Sequence, residues 1–162
     1  MRTFIVTVVT MALAGIAVAG EKRVTESDMP APVLAAVAKK YPAAKKVGFA
    51  KEVEQQQTTF EVSITDGAKK IDIDLSPDGK ILAEEQLIPV QEVPASVRKA
   101  LAESPRYRAW RVQRAERIIT RENDAAPSYE LVVARGQKKA EVVFDQDGKL
   151  VKQETRGATE SD

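Results

Sequence analysis

Two pairs of carboxylates have the spacing to carry out acid–base chemistry. Glu61 with Asp72, and Glu130 with Glu141, lie on segments that alternate apolar and polar residues, so each pair would meet across neighbouring strands. Two carboxylates that close can raise the pKa of one member and create a general acid. On an open sheet face, water and nearby lysines would screen the repulsion between the two carboxylates and so weaken this effect. Hydrolysis by such a pair is therefore an alternative and not the main prediction.

Other catalytic patterns are incomplete. The chain has no histidine and no cysteine, which removes the usual general base, thiol nucleophiles, thiolate zinc sites and disulfides. Ser96 and Lys99 have the spacing of the serine–lysine pair in penicillin-binding enzymes, but the companion motifs are missing and the chain is too short for that fold. No catalytic residue is therefore predicted.

Oxygen-bearing side chains at alternate positions faintly resemble a calcium loop. They are those of Asp72, Asp74, Ser76 and Asp78. Pro77 occupies the position of the sharp turn in such a loop, and the glycine is misplaced. A strand followed by a hairpin turn explains the same residues, so neither a metal nor a cofactor is predicted.

One local basic cluster surrounds the single tryptophan. Its candidate ligand-binding residues are Tyr107, Trp110, Arg111 and Arg114. Guanidinium and aromatic groups bind phosphate or carboxylate, which would suit a polyanion or an acidic protein, whereas core packing of Trp110 on a strand is the simpler interpretation. The chain carries 25 basic and 24 acidic residues, so no charge excess indicates nucleic acid or an anionic membrane.

The elements that would position these residues occur twice. Residues 60–81 match residues 129–150 at a shift of 69 positions (129 − 60), with turn, charged and apolar residues in one register. Such a match predicts a duplicated module. In each copy, prolines bracket an apolar stripe of helical spacing, at 30–42 and at 94–105, and strands of period two follow.

The fold class predicted from this pattern is α+β. It consists of two tandem repeats, each a short helix packed on an antiparallel meander of three to four strands. Placed side by side, the two sheets would share one broad helix-free surface. The residues predicted to lie on it, as a solvated face or as a platform for a partner, are Glu61, Ser63, Asp72, Asp74, Glu130, Val132, Glu141 and Val143.

The first residues have the pattern of an export signal. Arg2 precedes an apolar run from Phe4 to Ala19 that ends in a small-x-small motif, and the run is short for a bilayer span. The predicted domains are a signal peptide at 1–19, an N-terminal segment at 20–28, repeats at 29–88 and 89–155, and a disordered tail at 156–162. A periplasmic or secreted protein without a membrane anchor after cleavage is expected.

The combined motifs resemble a known family. A proline-x-x-valine helix start, a proline stop, an aromatic-Glu-aliphatic strand and an Asp-Gly-Lys turn are similar to those of tandem PepSY-like domains. The fold of these domains is similar to that of the beta-lactamase inhibitory protein. The matching motifs lie at 29–33, 41–42, 60–62 and 76–81, and again at 93–97, 129–131 and 145–150. The resemblance implies an exported protein whose inhibitor relatives bind enzymes over the open sheet face. Because this chain lacks cysteine, inhibition of a beta-lactamase in particular is not carried over.

These observations predict a non-catalytic binding module. Its expected partner is a protein or peptide in the periplasm, with a role as inhibitor or sensor of an envelope enzyme, and nucleic acid is not expected. Two alternatives stay open, namely a small acid/base hydrolase that uses the face carboxylates and a structural envelope component without a dedicated site.

Overall fold

The structure, a computed structural model, describes residues 21–54, 56–120 and 126–156. The predicted signal peptide at 1–19 and residues 157–162 of the predicted tail lie outside the described residues. The described part forms two α-helices and nine strands. Helix α1 spans Ala31–Lys40 and α2 spans Ala95–Glu103; the strands are β1 Glu21–Arg23, β2 Lys45–Glu54, β3 Gln57–Asp66, β4 Lys69–Leu75, β5 Ile81–Leu87, β6 Arg111–Thr120, β7 Ser128–Arg135, β8 Lys138–Asp145 and β9 Leu150–Arg156.

The strands form an antiparallel sheet in which each strand neighbours the next along the chain, in the order β1 to β9. The connections from β1 to β2 and from β5 to β6 contain the helices, and hairpin turns, which can join only antiparallel neighbours, connect the other strand pairs. Each copy consists of a helix followed by strands, which confirms the predicted α+β class and the tandem repeat. The sequence did not predict β1, which pairs with β2.

Contacts divide the chain into two compact units, with the division between Leu82 and Ala83, and with Lys69–Ile71 grouped in the second unit. The repeat boundary predicted at residues 88–89 comes from the sequence pattern and stays a prediction.

In the first unit, helix α1 begins after Pro30 and ends at Lys40, because Pro42 disfavours the helical conformation at Tyr41. Its buried residues are Val33 and Val37, one turn apart. The buried apolar residues of strands β3 and β4 are Phe60, Val62, Ile64, Ile71, Ile73 and Leu75. Their period of two explains why one side of these strands is apolar.

The second unit has a core built on the same plan. Helix α2 buries Val97 and Leu101 against β7 and β8. The sheet side of this core comprises Ala115, Leu131, Val133, Ala140, Val142 and Phe144. Tyr107, in the connection after α2, is also fully buried there, with its hydroxyl donating to Gln153 Oε1 at 3.0 Å.

A β-bulge interrupts the first long strand of each copy at the same place. The register shifts between Lys46 and Gly48 in β2, and between Val112 and Arg114 in β6. A bulge adds one residue, so the alternation of inward and outward side chains changes phase across it. This explains why both segments look irregular in sequence.

The repeated Asp-Gly turns pack against the first turn of each helix. Gly79 and Gly148 have φ of 85° and 86°. A Cβ at Gly79 would lie 2.5 Å from the Pro32 carbonyl oxygen, and one at Gly148 would lie 2.6 Å from the Ser96 carbonyl oxygen. Only glycine satisfies both the positive φ and the close approach. These turns therefore fix where each helix sits on its strands.

We expect Gly148→Ala to destabilise the protein more than Gly136→Ala. Gly136 also has a positive φ of 60°, but nothing lies within 4 Å of a Cβ there. Gly136→Ala should lose only the backbone preference, about 1–2 kcal/mol, while Gly148→Ala adds a backbone clash and should lose about 3 kcal/mol or more. Urea unfolding of both variants measures the difference. Equal losses would contradict the proposed role of the turn.

Candidate functional site

The register of the second unit separates its side chains into two sets. Those of Leu131, Val133 and Val142 face α2, so their neighbours along each strand face the other way. We call this second set the helix-free face. Its members on β6 to β9 are Arg114, Glu116, Ile118, Glu130, Val132, Ala134, Glu141, Val143, Lys152 and Glu154.

Two rows of residues cross the helix-free face from β6 to β9. In one row the paired positions are Glu116, Glu130, Val143 and Lys152, and in the next they are Arg114, Val132, Glu141 and Glu154. The predicted neighbours Glu130 and Glu141 are therefore diagonal. Glu116, which the sequence analysis did not select, is the carboxylate directly opposite Glu130.

The centre of this face is buried. Glu116, Glu130 and Val143 expose only 1%, 2% and 2% of their surface, while Val132 and Glu141 are half-buried. The expectation that water screens the face carboxylates is therefore wrong for Glu130.

Burial sets the protonation of Glu130. It raises the pKa of this carboxyl to about 8, with the nearby Glu116 and Glu141 carboxylates acting in the same direction. Arg114 and Lys152 oppose the shift. Glu116 accepts a hydrogen bond from the Arg114 guanidinium. Glu130 Oε1 has no hydrogen-bond partner among the described residues. At neutral pH Glu130 is therefore mostly protonated.

The corresponding residues of the first unit lie on strands β3 and β4. Glu61, Ser63 and Asp74 are buried and Asp72 is half-buried, and they alternate with the apolar residues of those strands. Ala50 lies opposite Glu61, and Gly48 lies opposite Ser63.

The positions of Ala50 and Gly48 correspond to Glu116 and Arg114 in the second unit. The charged pair on β6 is therefore specific to the second copy.

The predicted basic cluster is split between the two sides of the sheet. Tyr107 is buried in the core and meets Trp110 edge to face, with ring centroids 5.4 Å apart. Trp110 packs against the same core. Arg114 lies on the helix-free face, and Arg111 is exposed at its end, opposite Ala134. The aromatic and basic residues therefore do not form one site, because the core takes the aromatic rings.

The faint calcium loop forms a hairpin turn. Ser76 donates a hydrogen bond to Asp78, which lowers the pKa of that carboxyl, and Gly79 donates its backbone NH to the Ser76 carbonyl at 2.9 Å. Over the residues that the structure describes, no group of three or more acidic side chains converges to hold a metal ion. No helix within these residues is long and apolar enough to span a bilayer.

Two residues that matter for Glu130 were not predicted, namely Glu116 and Lys152. Arg114, Glu116 and Ile118 lie at every second position of β6, with Ala115 and Arg117 between them. The bulge before Arg114 hides that alternation when β6 is read from its start. Reading β6 backwards from Ile118 would have placed Glu116 beside Glu130.

A meander of strands with one helix on one face defines an α+β module of the PepSY type. The chain matches, over residues 18–83 and 72–152, the family described as "Putative beta-lactamase-inhibitor-like, PepSY-like". It therefore belongs to that family and contains two such domains, as the motifs of the sequence predicted.

Solved structures of similar fold come from Bacteroides. A "putative periplasmic" protein of Bacteroides eggerthii is 22% identical, with a TM-score of 0.66 over 78% of this chain and 88% of that chain. A DUF2874 family protein of Bacteroides uniformis is 20% identical over the same shares, also with a TM-score of 0.66. A BLIP-like protein of Bacteroides fragilis is 19% identical, with a TM-score of 0.61 over 82% and 92%. These likenesses show the fold. No curated protein matches the sequence.

Replacing Glu130 by glutamine should remove a pH dependence of stability. In the folded protein Glu130 keeps its proton up to about pH 8. In the unfolded chain its pKa is the ordinary 4.5, so the proton is lost at lower pH. The free energy of unfolding should therefore fall as the pH rises from 4.5 to 8. The loss is complete above pH 8 and amounts to about 5 kcal/mol. Glu130→Gln, which stays neutral, should lack this slope and exceed the wild type in stability at high pH.

Urea unfolding at a series of pH values measures this effect. The chain contains no histidine, so no imidazole titrates in this window. Glu103→Gln, which replaces an exposed carboxylate of α2, is the matched control and should follow the wild type. A wild-type stability that stays level between pH 5 and 8, or a slope retained in Glu130→Gln, would refute a buried protonated Glu130.

Proposed function

We propose that this chain is an exported, non-catalytic binding module that engages a protein or peptide in the periplasm through its helix-free face. Membership of a beta-lactamase-inhibitor-like family supports binding as the activity, and the similar structures include a protein described as periplasmic. The export signal predicted at residues 1–19 supports the same location. Inhibition or sensing of an envelope enzyme is the role that fits such a module.

The observation that carries the proposal is the composition of the face in the second unit. Its accessible part combines the half-buried Val132 and Glu141 with Arg114, next to the buried Ile118, Val143 and protonated Glu130. Exposed charged residues, Arg111 and Lys139, lie on the two sides of Ala134 at the end of the face. A partly buried centre of apolar and polar groups with an exposed charged rim is typical of protein-binding surfaces.

The hydrolase alternative is weaker for a geometric reason. A general acid must come within hydrogen-bond reach of the group that it protonates. Glu130 has the raised pKa that a general acid needs, but only 2% of its surface is exposed. A substrate lying on the face would touch Val132 and Glu141 before it could reach the Glu130 carboxyl.

Binding through this face should be lost in the variant Val132→Lys with Glu141→Lys. Both side chains are half-buried on the face, so lysine can reach solvent there, whereas lysine at the buried Glu61 or Glu130 would disrupt folding. Periplasmic proteins captured by the immobilised wild type are identified by mass spectrometry, and the strongest is purified and titrated. We expect its affinity for the variant to fall at least about tenfold.

The matched control is Ala102→Lys with Glu103→Lys on the exposed side of α2, which makes the same change of charge. It should bind like the wild type, and both variants should melt like it. Equal binding by all three proteins would exclude this face as the site. A turnover that Glu130→Gln abolishes would favour the hydrolase instead, and the absence of any specific partner would favour a structural component.

A further inference from the structure

Strand β9 presents a long outer edge. It is the last strand in the sheet order, and among the described residues only β8 pairs with it. The pairing runs from Arg156 opposite Lys139 to Leu150 opposite Phe144. It has seven residues, whereas β1, at the other end of the order, has three. A short edge strand offers little to pair with, but a long one offers a row of backbone donors and acceptors to another strand.

The side chains of β9 are arranged so that the strand complements itself. Lys152 and Glu154 lie on the helix-free face, 33% and 47% exposed, with Nζ and Oε1 2.7 Å apart. Gln153, between them, points to the other side, where its Oε1 accepts the Tyr107 hydroxyl. The opposite charges therefore flank a central residue symmetrically, one position away on each side.

Symmetry limits how two copies of β9 can pair. A two-fold axis perpendicular to the sheet gives antiparallel strands and keeps both helices on one side, and residues directly opposite then share a face. The two-fold axis must therefore lie between the two copies of one residue, which then face each other across the strand pair. It cannot lie level with the midpoint between two consecutive residues. Through Gln153, it sets each Lys152 opposite Glu154 of the second copy, so residues 152–154 pair regularly and the bulge at Val151 lies beyond them.

Neighbouring registers are unfavourable. An axis through Lys152 sets the two Lys152 side chains opposite each other, and an axis through Glu154 does the same with the two Glu154 carboxylates. Like charges directly opposite destabilise a strand pair. Of these three registers, only the one with the axis through Gln153 sets opposite charges against each other.

The exposed apolar residues of β9 lie at the ends of this pairing. Val151 is 57% exposed and occupies the β-bulge between Lys152 and Leu150. In the register centred on Gln153 this bulge lies near Thr155 of the second copy, so pairing would cover part of the Val151 surface. The contact with Tyr107 holds Gln153 in place, which favours an ordered edge.

We propose that β9 pairs antiparallel with β9 of a second copy of this chain, with Gln153 on the two-fold axis and Lys152 opposite Glu154. This dimer uses a backbone edge, and it does not depend on the partner binding proposed for the helix-free face.

Charge exchange at the two residues tests both the dimer and its register. Sedimentation of the wild type over a concentration series should show a monomer–dimer equilibrium. Lys152→Glu alone sets carboxylates opposite each other, and Glu154→Lys alone sets ammonium groups opposite each other. Each should raise the dissociation constant about tenfold or more. The double variant restores the opposite pairs and should return to within about threefold of the wild type.

Mixing the two single variants is the sharpest experiment. Each dimerises poorly with itself, but their 1:1 mixture sets Glu opposite Lys at both positions, so the heterodimer should form with nearly wild-type affinity. Lys99→Glu, at an exposed site of α2, is the matched control and should dimerise like the wild type. Because Lys152 lowers the pKa of Glu130, we would measure at about pH 6, where Glu130 is protonated throughout.

Several outcomes would overturn the proposal. A wild type that stays monomeric to its solubility limit excludes the dimer. If the single variants dimerise like the wild type, the dimer interface lies elsewhere on the protein. A mixture, or a double variant, that fails to recover excludes this register. Circular dichroism melting of every variant separates loss of pairing from loss of folding.

Discussion

Each repeat has one helix and a sheet with two faces, and this imbalance governs the rest of the structure. In the second unit, Val97 and Leu101 cover a single side of β7 and β8. Apolar residues can occupy only that side without a partner, so the other side must satisfy its own polar groups. The Asp-Gly turn holds the helix on that side of the sheet, because Gly148 lies close to the backbone of Ser96.

Much of this architecture could be predicted from the sequence. The repeat was visible because its turns require particular residues, and glycines at equivalent positions with φ near 85° leave a recognisable pattern. Prolines marked the start of each helix and the residue just beyond its last turn. Strand alternation in β3, β4, β7 and β8 gave the two faces. These signals are local, so a single sequence reveals them.

The centre of the candidate face was harder to predict, since it depends on pairing between strands. The sequence places Glu130 on a strand, but only the register sets Glu116 opposite it. The bulge before Arg114 shifts that register by one residue, and no turn residue marks it. Burial was also unexpected, because an alternating carboxylate is usually exposed, whereas Glu130 exposes only 2% of its surface.

The two copies have diverged most clearly in how this face treats charge. In the first copy, Gly48 and Ala50 place no side-chain charge opposite Ser63 and Glu61. The second copy has Arg114 and Glu116 at the equivalent positions. The raised pKa of Glu130 follows first from burial and then from the Glu116 and Glu141 carboxylates, and Arg114 opposes it.

Burial, and then the surrounding charges, explain why a proton stays on Glu130. Three carboxyls, those of Glu116, Glu130 and Glu141, lie near the basic groups Arg114 and Lys152, and a fourth, that of Glu154, is already paired with Lys152. With all three ionised the group would carry an excess negative charge in a poorly hydrated place, which is costly. Arg114 pairs with Glu116, so Glu130 is the carboxyl without a charged partner in contact. Protonation of Glu130 therefore lowers the negative charge of this buried centre, and Arg114 with Glu116 and Lys152 with Glu154 remain as ion pairs.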